Sequence, residues 1–205
     1  MYLEIKTIKY IYFLYNYIYI YMTNKKTIKK SQKSNNKTRS KNRTSITLND
    51  IKKAQKDWSN AIKNITKDYF NKKDYVKTAK EAINKLYGYD KSIVLFKPTK
   101  AVEHPFRPTK KGALSYFVGH KAIKGGFTED KGFAINGGKG WKSVVFNNNK
   151  INYNGNTATA MGTYIFTCAT TGNKVKVYYT FGYKLNKDGK LRIYLHHSSV
   201  PFSNK

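Results

Sequence analysis

The residues best suited to chemistry lie at the end of the last apolar stretch of the chain, where two histidines precede two serines. His196, His197, Ser198 and Ser199 directly follow Leu195. Imidazole can accept or donate a proton near neutral pH, and a hydroxyl group can bind and orient water. The four side chains therefore predict either a reactive pocket or a hydrogen-bonded polar core.

The stretch that ends in these residues alternates as a β-strand does. Leu191 and the apolar residues at every second position after it share one face. Uninterrupted alternation places His197 and Ser199 on this inner face, and His196 and Ser198 on the opposite face. A β-bulge before His196 would exchange the two pairs.

Two amphipathic helices are predicted upstream. Thr47 and Asp50 form a variant of the capping box, and apolar residues then recur at helical spacing through Ile65. A second apolar stripe covers residues 75–86, and Gly88 is well placed to end that helix. These helices supply apolar faces on which a sheet can pack.

The remainder of the chain is mostly β-strand by its pattern. Residues 92–96 form a short apolar strand closed by Pro98, and Thr109 can cap a short third helix. Four long β segments are predicted over 131–146, 150–168, 173–185 and 190–199, separated by turn sequences such as 147–149. Helices followed by an antiparallel meander predict an α+β fold, in which the N-terminal helices pack in a strongly curved sheet and leave a cone-shaped pocket.

The chain is strongly basic, with 40 Lys and Arg against 11 Asp and Glu and a formal charge of +29. Such a charge favours solubility and attraction to polyanions, and it does not specify a fold. Residues 23–47 hold nine basic residues and no acid, which predicts a disordered basic tail with weak polyanion binding. Alternatively, the charge reflects a Lys- and Asn-rich coding bias, since no known nucleic-acid motif accompanies it.

Residues 1–22 form a hydrophobic, tyrosine-rich leader or a mis-annotated start, too short for a stable membrane span. Translation from Met22 would give a cytoplasmic protein. A targeting segment at residues 1–21 would instead give a secretory or organellar one. The folded domain is expected over 48–205.

The sequence does not assemble a conventional metal site. Cys168 is the only cysteine, which excludes an intramolecular disulfide and a multi-cysteine zinc site. His196 and His197 are adjacent on a strand, so they point to opposite faces and cannot readily bind one metal ion. No cofactor is expected from these residues, although manganese or zinc is not excluded.

Six segments in order resemble the iota-class carbonic anhydrases, relatives of the calcium/calmodulin-dependent kinase II association domain with a nuclear transport factor 2-like fold. The segments are 95–101, 106–109, 113–119, 129–136, 178–183 and 196–199, within a resemblance that covers about 50–203. It implies reversible hydration of carbon dioxide to bicarbonate. Some members of the family are described as metal-free, and others have been linked to manganese.

The resemblance also implies a set of catalytic residues. The pocket threonine and tyrosine match Thr99 and Tyr116, and the pocket serine matches Ser198 or Ser199, with strand alternation favouring Ser199. In this hypothesis the hydroxyl groups hold water and carbon dioxide and donate to the forming bicarbonate, while His197 accepts the proton. Residues predicted to contact the substrate are Ser198, Arg107 and Phe106.

Two other functions remain open at this stage. The same fold could serve as a non-catalytic ligand-binding or oligomerisation module, because fold alone does not determine function. The basic segment 23–47 could bind nucleic acid. Aromatic residues such as Tyr178 and Tyr194 on the outer face of the sheet predict a homodimer that covers them.

Overall fold

The computed structural model describes residues 45–203, and the predictions for the leader and for most of the basic tail fall outside this range. Helix α1 spans Leu48–Phe70. Its capping box is confirmed, because the Thr47 amide donates to Asp50 at 2.8 Å and the Asp50 amide donates to the Thr47 hydroxyl at 3.4 Å. Ile46, in the last part of the predicted tail, is buried.

Two shorter helices follow, α2 over Tyr75–Leu86 and α3 over Lys110–Val118. Asp74 caps α2 by accepting from the Lys77 amide at 2.9 Å. Thr109 caps α3 as predicted, because its hydroxyl accepts from the Gly112 amide at 3.1 Å. Among the described residues, no helix combines the length and apolar character needed to span a bilayer.

Within residues 45–203, five strands form one sheet in the order β1-β5-β4-β3-β2. Their bounds are β1 Leu95–Lys97, β2 Trp141–Asn154, β3 Thr157–Cys168, β4 Lys174–Leu185 and β5 Leu191–Ser199. Strands β2 to β5 pair antiparallel, whereas β1 pairs parallel with β5. The α+β class is therefore confirmed, but the sheet is mixed and not purely antiparallel.

The predicted bounds of the first two long β segments, 131–146 and 150–168, are wrong. Residues 133–138 form a 3₁₀ turn, and β2 then continues through 147–149, where a turn was predicted. The ladder absorbs Asn149 as a bulge opposite Gly162, where a Cβ would lie 2.1 Å from the Asn147 carbonyl oxygen. The chain reverses at Gly155 instead, which has a φ of 56°.

Another bulge interrupts β5 directly before the histidine pair. Gly182 pairs with Leu195 and Tyr183 pairs with Ile193, so Tyr194 has no partner on β4. A Cβ on Gly182 would lie 2.7 Å from the Tyr194 ring, which indicates that glycine leaves the space this ring occupies. The extra residue reverses the inward and outward alternation of everything after it.

The core lies between the helices and the inner face of the sheet. Trp58 of α1 is 2% exposed and makes edge-on contacts with Phe146 and Phe181, at ring-centroid distances of 5.8 and 5.9 Å. Such aromatic pairs contribute about 0.5–1.5 kcal/mol each beyond the area they bury. Polar groups that point into this aromatic core must find partners there, because an unpaired buried polar group is costly.

Candidate active site

The inner face of β5 carries His196 and Ser198, each 3% exposed. His197 is exposed and Ser199 is half-buried, on the outer face of the sheet. The prediction that His197 and Ser199 face inward is therefore wrong. The physical reason is the bulge at Tyr194, which uninterrupted alternation does not include.

A chain of buried hydrogen bonds runs through the inner pair. The Trp58 indole nitrogen donates to the Tyr87 hydroxyl at 3.0 Å, and that hydroxyl lies 2.8 Å from His196 Nδ1. On the other side of the ring, His196 Nε2 lies 3.0 Å from Ser198 Oγ. Ser198 Oγ is in turn hydrogen-bonded to the Tyr164 hydroxyl. These five side chains, from α1, the end of α2, β3 and β5, are called the polar chain below.

The direction of the polar chain follows from the indole, which can only donate. The Tyr87 oxygen accepts from Trp58, so its own proton is available to His196 Nδ1. A neutral imidazole that accepts at Nδ1 carries its proton on Nε2, and that proton is donated to Ser198. Ser198 can then donate its own proton to Tyr164, so each member is oriented by the one before it.

The surroundings of His196 keep its ring neutral and fixed. Its ring stacks on Phe96 of β1 at a centroid distance of 4.4 Å, and Phe181 lies edge-on at 4.1 Å. Burial lowers the pKa of His196 well below its usual value of 6.5, and the nearby His197 lowers it further. The pKa of His197 is also lowered, by partial burial and by Lys97.

Tyr116 of α3 enters the same interior from the opposite side. Its ring stacks on Phe133 at 5.3 Å and meets Phe96 edge-on at 5.8 Å. Burial raises the pKa of Tyr116, and interaction with Tyr164 raises it further, while a backbone hydrogen bond from Lys100 acts in the opposite direction. Tyr116 and Tyr164 are therefore neutral hydroxyl groups that can donate, and they are near enough to influence each other.

Tyr116 also lines a cleft of about 180 Å³ that opens to solvent. This volume is many times the 10–15 Å³ that one water needs. Two exposed lysines, Lys100 and Lys131, line the cleft, and Glu129 faces them. Cationic side chains at an opening attract anions such as bicarbonate.

The remaining predicted site residues lie at different depths. Thr99 is half-buried in the turn after β1, next to Lys100. Phe106 is 64% exposed, and its contact with the substrate stays a prediction. Arg107 is fully buried, and its guanidinium pairs with Asp130 at 2.8 Å and Glu129 at 3.3 Å. In the extended segment that carries these two residues, neighbouring side chains point in opposite directions, and the arginine takes the interior one.

Sequence reasoning missed most of the polar chain. Tyr87 directly follows the predicted second helix and has no spacing that marks it, and uninterrupted alternation places His196 on the outer face. Tyr164 shares its inward alternation with the buried residues Ala158 and Phe166, a signal that could have identified it as a hydroxyl group in an apolar row. Trp58 was predicted only as part of the apolar stripe of α1.

Within residues 45–203, no group of three or more His, Cys, Asp or Glu side chains is arranged to hold a metal ion. The inner histidine is surrounded by aromatic rings and hydroxyl groups, and its two ring nitrogens are both hydrogen-bonded. The donor set is therefore that of a hydrogen-bonding site.

Comparison with known sequences and structures identifies related proteins. A family model described as metal-independent carbonic anhydrase matches residues 49–200. A metal-independent carbonic anhydrase from Nostoc sp. (strain PCC 7120) is 41% identical over 161 residues, which cover 77% of this chain and 75% of the relative. A crystal structure of an iota-carbonic anhydrase from a cyanobacterium, complexed with bicarbonate, superposes with a TM-score of 0.71 at 40% identity, covering 78% of this chain and 95% of that one. With this match over most of its length, the chain belongs to the metal-independent carbonic anhydrase family.

Proposed function

We propose that this chain hydrates carbon dioxide to bicarbonate in the space between Tyr116, Tyr164 and Ser198, with no metal ion in the reaction. The observation that carries the proposal is the polar chain, which begins at a group that can only donate and ends at hydroxyl groups in an aromatic interior. Family membership supports the reaction, and the polar chain supports its proposed location.

The direction of the polar chain assigns its role. Because Trp58 cannot accept a proton, the chain cannot conduct one from Ser198 out past Tyr87. It can instead hold hydroxyl donors in fixed positions for the negative oxygens of bicarbonate as they form. Preorganised donors of this kind stabilise a transition state strongly when water is excluded.

The reaction then needs a nucleophile and an exit for one proton. A water oxygen bonds to the carbon of carbon dioxide, one O–H bond of that water breaks, and the proton leaves to solvent water in the cleft. Thr99 and the Lys100 backbone would position the attacking water beside Tyr116, which lines this cleft. The lysines at the opening would favour capture and release of bicarbonate.

The proposal is tested by carbon dioxide hydration measured with EDTA present, for the wild type, Ser198→Ala and Ser199→Ala. Ser198 orients the hydroxyl of Tyr164, the donor at the end of the polar chain. Loss of a correctly placed donor to a developing oxyanion lowers kcat by about 100-fold or more, so Ser198→Ala should be strongly impaired. Ser199→Ala is the matched control, since it removes the same hydroxyl from the outer face and should stay within about twofold of wild type. Equal activity in all three proteins would contradict the proposed site.

Two structural features accompany this proposal. The curved sheet would wrap the helices as a cone, as in nuclear transport factor 2-like folds, with the polar chain inside.

A second copy of the chain would cover the outer face, where a groove of about 500 Å³ includes exposed Met161 and Tyr178. Sedimentation of the wild type as a dimer and of Met161→Lys as a monomer would support this homodimer, and a monomeric wild type would contradict it.

A further inference from the structure

The carboxylate of Glu129 gathers three consecutive backbone amides. Its Oε2 accepts from Val102 at 2.7 Å and from Glu103 at 3.0 Å, and its Oε1 accepts from His104 at 2.9 Å. Successive amides that converge in this way form an anion-binding concavity, which is occupied here by a side chain of the same protein. The loop over 99–104 is therefore tied to a residue 25 to 27 positions further along the chain.

A buried arginine connects the same carboxylate to α3. Arg107 Nη2 lies 3.3 Å from Glu129 Oε1 and 2.8 Å from Asp130 Oδ1. Asp130 Oδ2 accepts from the hydroxyl of Ser115 at 2.6 Å, and Ser115 precedes Tyr116 on α3. Arg107 and Asp130 are both buried, so this ion pair is rigid and weakly screened by solvent.

The two connections converge on Tyr116, which borders the proposed reaction space. The loop leads back from Val102 to Lys100, which lines the same cleft as Tyr116 and whose backbone lies near enough to oppose the rise in the pKa of Tyr116. The arginine and Asp130 fix the helix that carries Tyr116 itself. Displacing either the loop or the helix by about 1 Å would move Tyr116 relative to the groups with which it must act.

We propose that Glu129 is a positioning residue for carbon dioxide hydration, which holds the 99–104 loop where Lys100 and Thr99 meet Tyr116. This inference rests on the proposed function, and it assigns Arg107 to the support of the site and not to substrate contact. Two parts of the family resemblance, the motif at 129–136 and the Phe106-Arg107 segment, would then both support the site.

The electrostatics of Glu129 agree with positioning rather than proton transfer. Burial alone would raise its pKa, but the amides of Val102, His104 and Glu103, together with Arg107, lower the pKa to about 2. The carboxylate is therefore ionised at neutral pH and holds no proton to give. Both carboxylate oxygens of Glu129 already accept hydrogen bonds from the backbone amides of 102–104.

The test compares Glu129→Gln and Glu129→Ala with Glu81→Gln, which removes the same charge from an exposed position on α2. In Glu129→Gln an amide NH₂ group faces a backbone N–H donor, so kcat should fall about 10- to 100-fold. Glu81→Gln should match the wild type. Added formate should restore part of the activity of Glu129→Ala, because a free carboxylate can occupy the vacated amides, and it should not raise the activity of Glu81→Gln.

Hydrogen exchange of the amides at 102–104 gives a readout that does not depend on catalysis. Exchange there should accelerate in both Glu129 variants, and formate should slow it again in Glu129→Ala. Full activity in Glu129→Gln beside an active wild type would overturn the positioning role and leave the proposed function intact. An inactive wild type would overturn the proposed function, and the inference with it.

Discussion

The two faces of β5 present the same pair of residue types to two different environments. Inside, His196 and Ser198 are stacked, hydrogen-bonded and almost inaccessible to solvent. Outside, His197 and Ser199 lie beside Thr180 and Tyr178 in an open groove. The residue types alone do not distinguish the pairs, so the single unpaired residue at Tyr194 decides which imidazole and which hydroxyl can take part in chemistry.

The largest effect expected from this contrast is on catalysis by the inner histidine. His196→Asn removes the donor to Ser198, and kcat should fall about 100- to 1,000-fold, as measured by carbon dioxide hydration. His196→Gln should retain more activity than His196→Asn, because its longer side chain can bring an amide N–H near the position of Nε2. His197→Asn, the outer control, should stay within about twofold of wild type.

These variants also separate two roles for the inner ring. If His196 were a general base, glutamine and asparagine would be equally inactive, since neither accepts a proton at neutral pH. If the outer ring were the proton acceptor, His197→Asn would lose the acid limb of the pH–rate profile. Either outcome would contradict the prediction that the inner pair orients donors and that the outer pair takes no part in catalysis.

A smaller effect is expected from disturbing the bulge itself. Gly182→Ala places a Cβ 2.7 Å from the Tyr194 ring and 2.8 Å from Leu195 Cβ. Overpacking of this kind costs about 1–3 kcal/mol, which urea unfolding would measure. Ala158→Gly, a deletion of one methyl group at a regular position of β3, offers a comparison of similar size without a bulge. An unchanged free energy of unfolding in Gly182→Ala would show that Tyr194 is not held against the glycine.

The smallest effect concerns the pH dependence of stability. The folded-state pKa of His196 is lowered by burial, so below about pH 6.5 the unfolded chain binds a proton that the folded chain does not. The contribution of His196 to the free energy of unfolding is fully present above pH 6.5. It is lost as the pH falls, by at most about 1.4 kcal/mol per pH unit. Urea unfolding at pH 7.5 and 5.5 should show a shallower decline for His196→Gln than for the wild type. An identical decline in both would mean that the inner histidine is readily protonated in place.

The parts of this fold that depend on neighbouring residues could be predicted from the sequence. The Thr47 capping box and the Thr109 cap involve atoms three residues apart, and both are confirmed. The face of β5 could not be predicted in the same way, because its bulge depends on Gly182, which lies on another strand. The hydrogen-bond partners of Tyr87 and Tyr164 could not be predicted for a similar reason, because a chain of hydrogen bonds assembled from four elements leaves no spacing pattern that joins its members.

The repeated letters of His196-His197-Ser198-Ser199 have a consequence for how such a site tolerates change. If β5 lost its bulge, the alternation after Tyr194 would shift by one position, and His197 and Ser199 would replace the present inner pair. The inner face would still carry a histidine followed, two residues later, by a serine. The repeated residue types would therefore keep a histidine and a serine on the inner face after a one-residue shift in the register of the strand. In a strand without such a repeat, the same loss of a bulge would place unsuitable side chains in the interior.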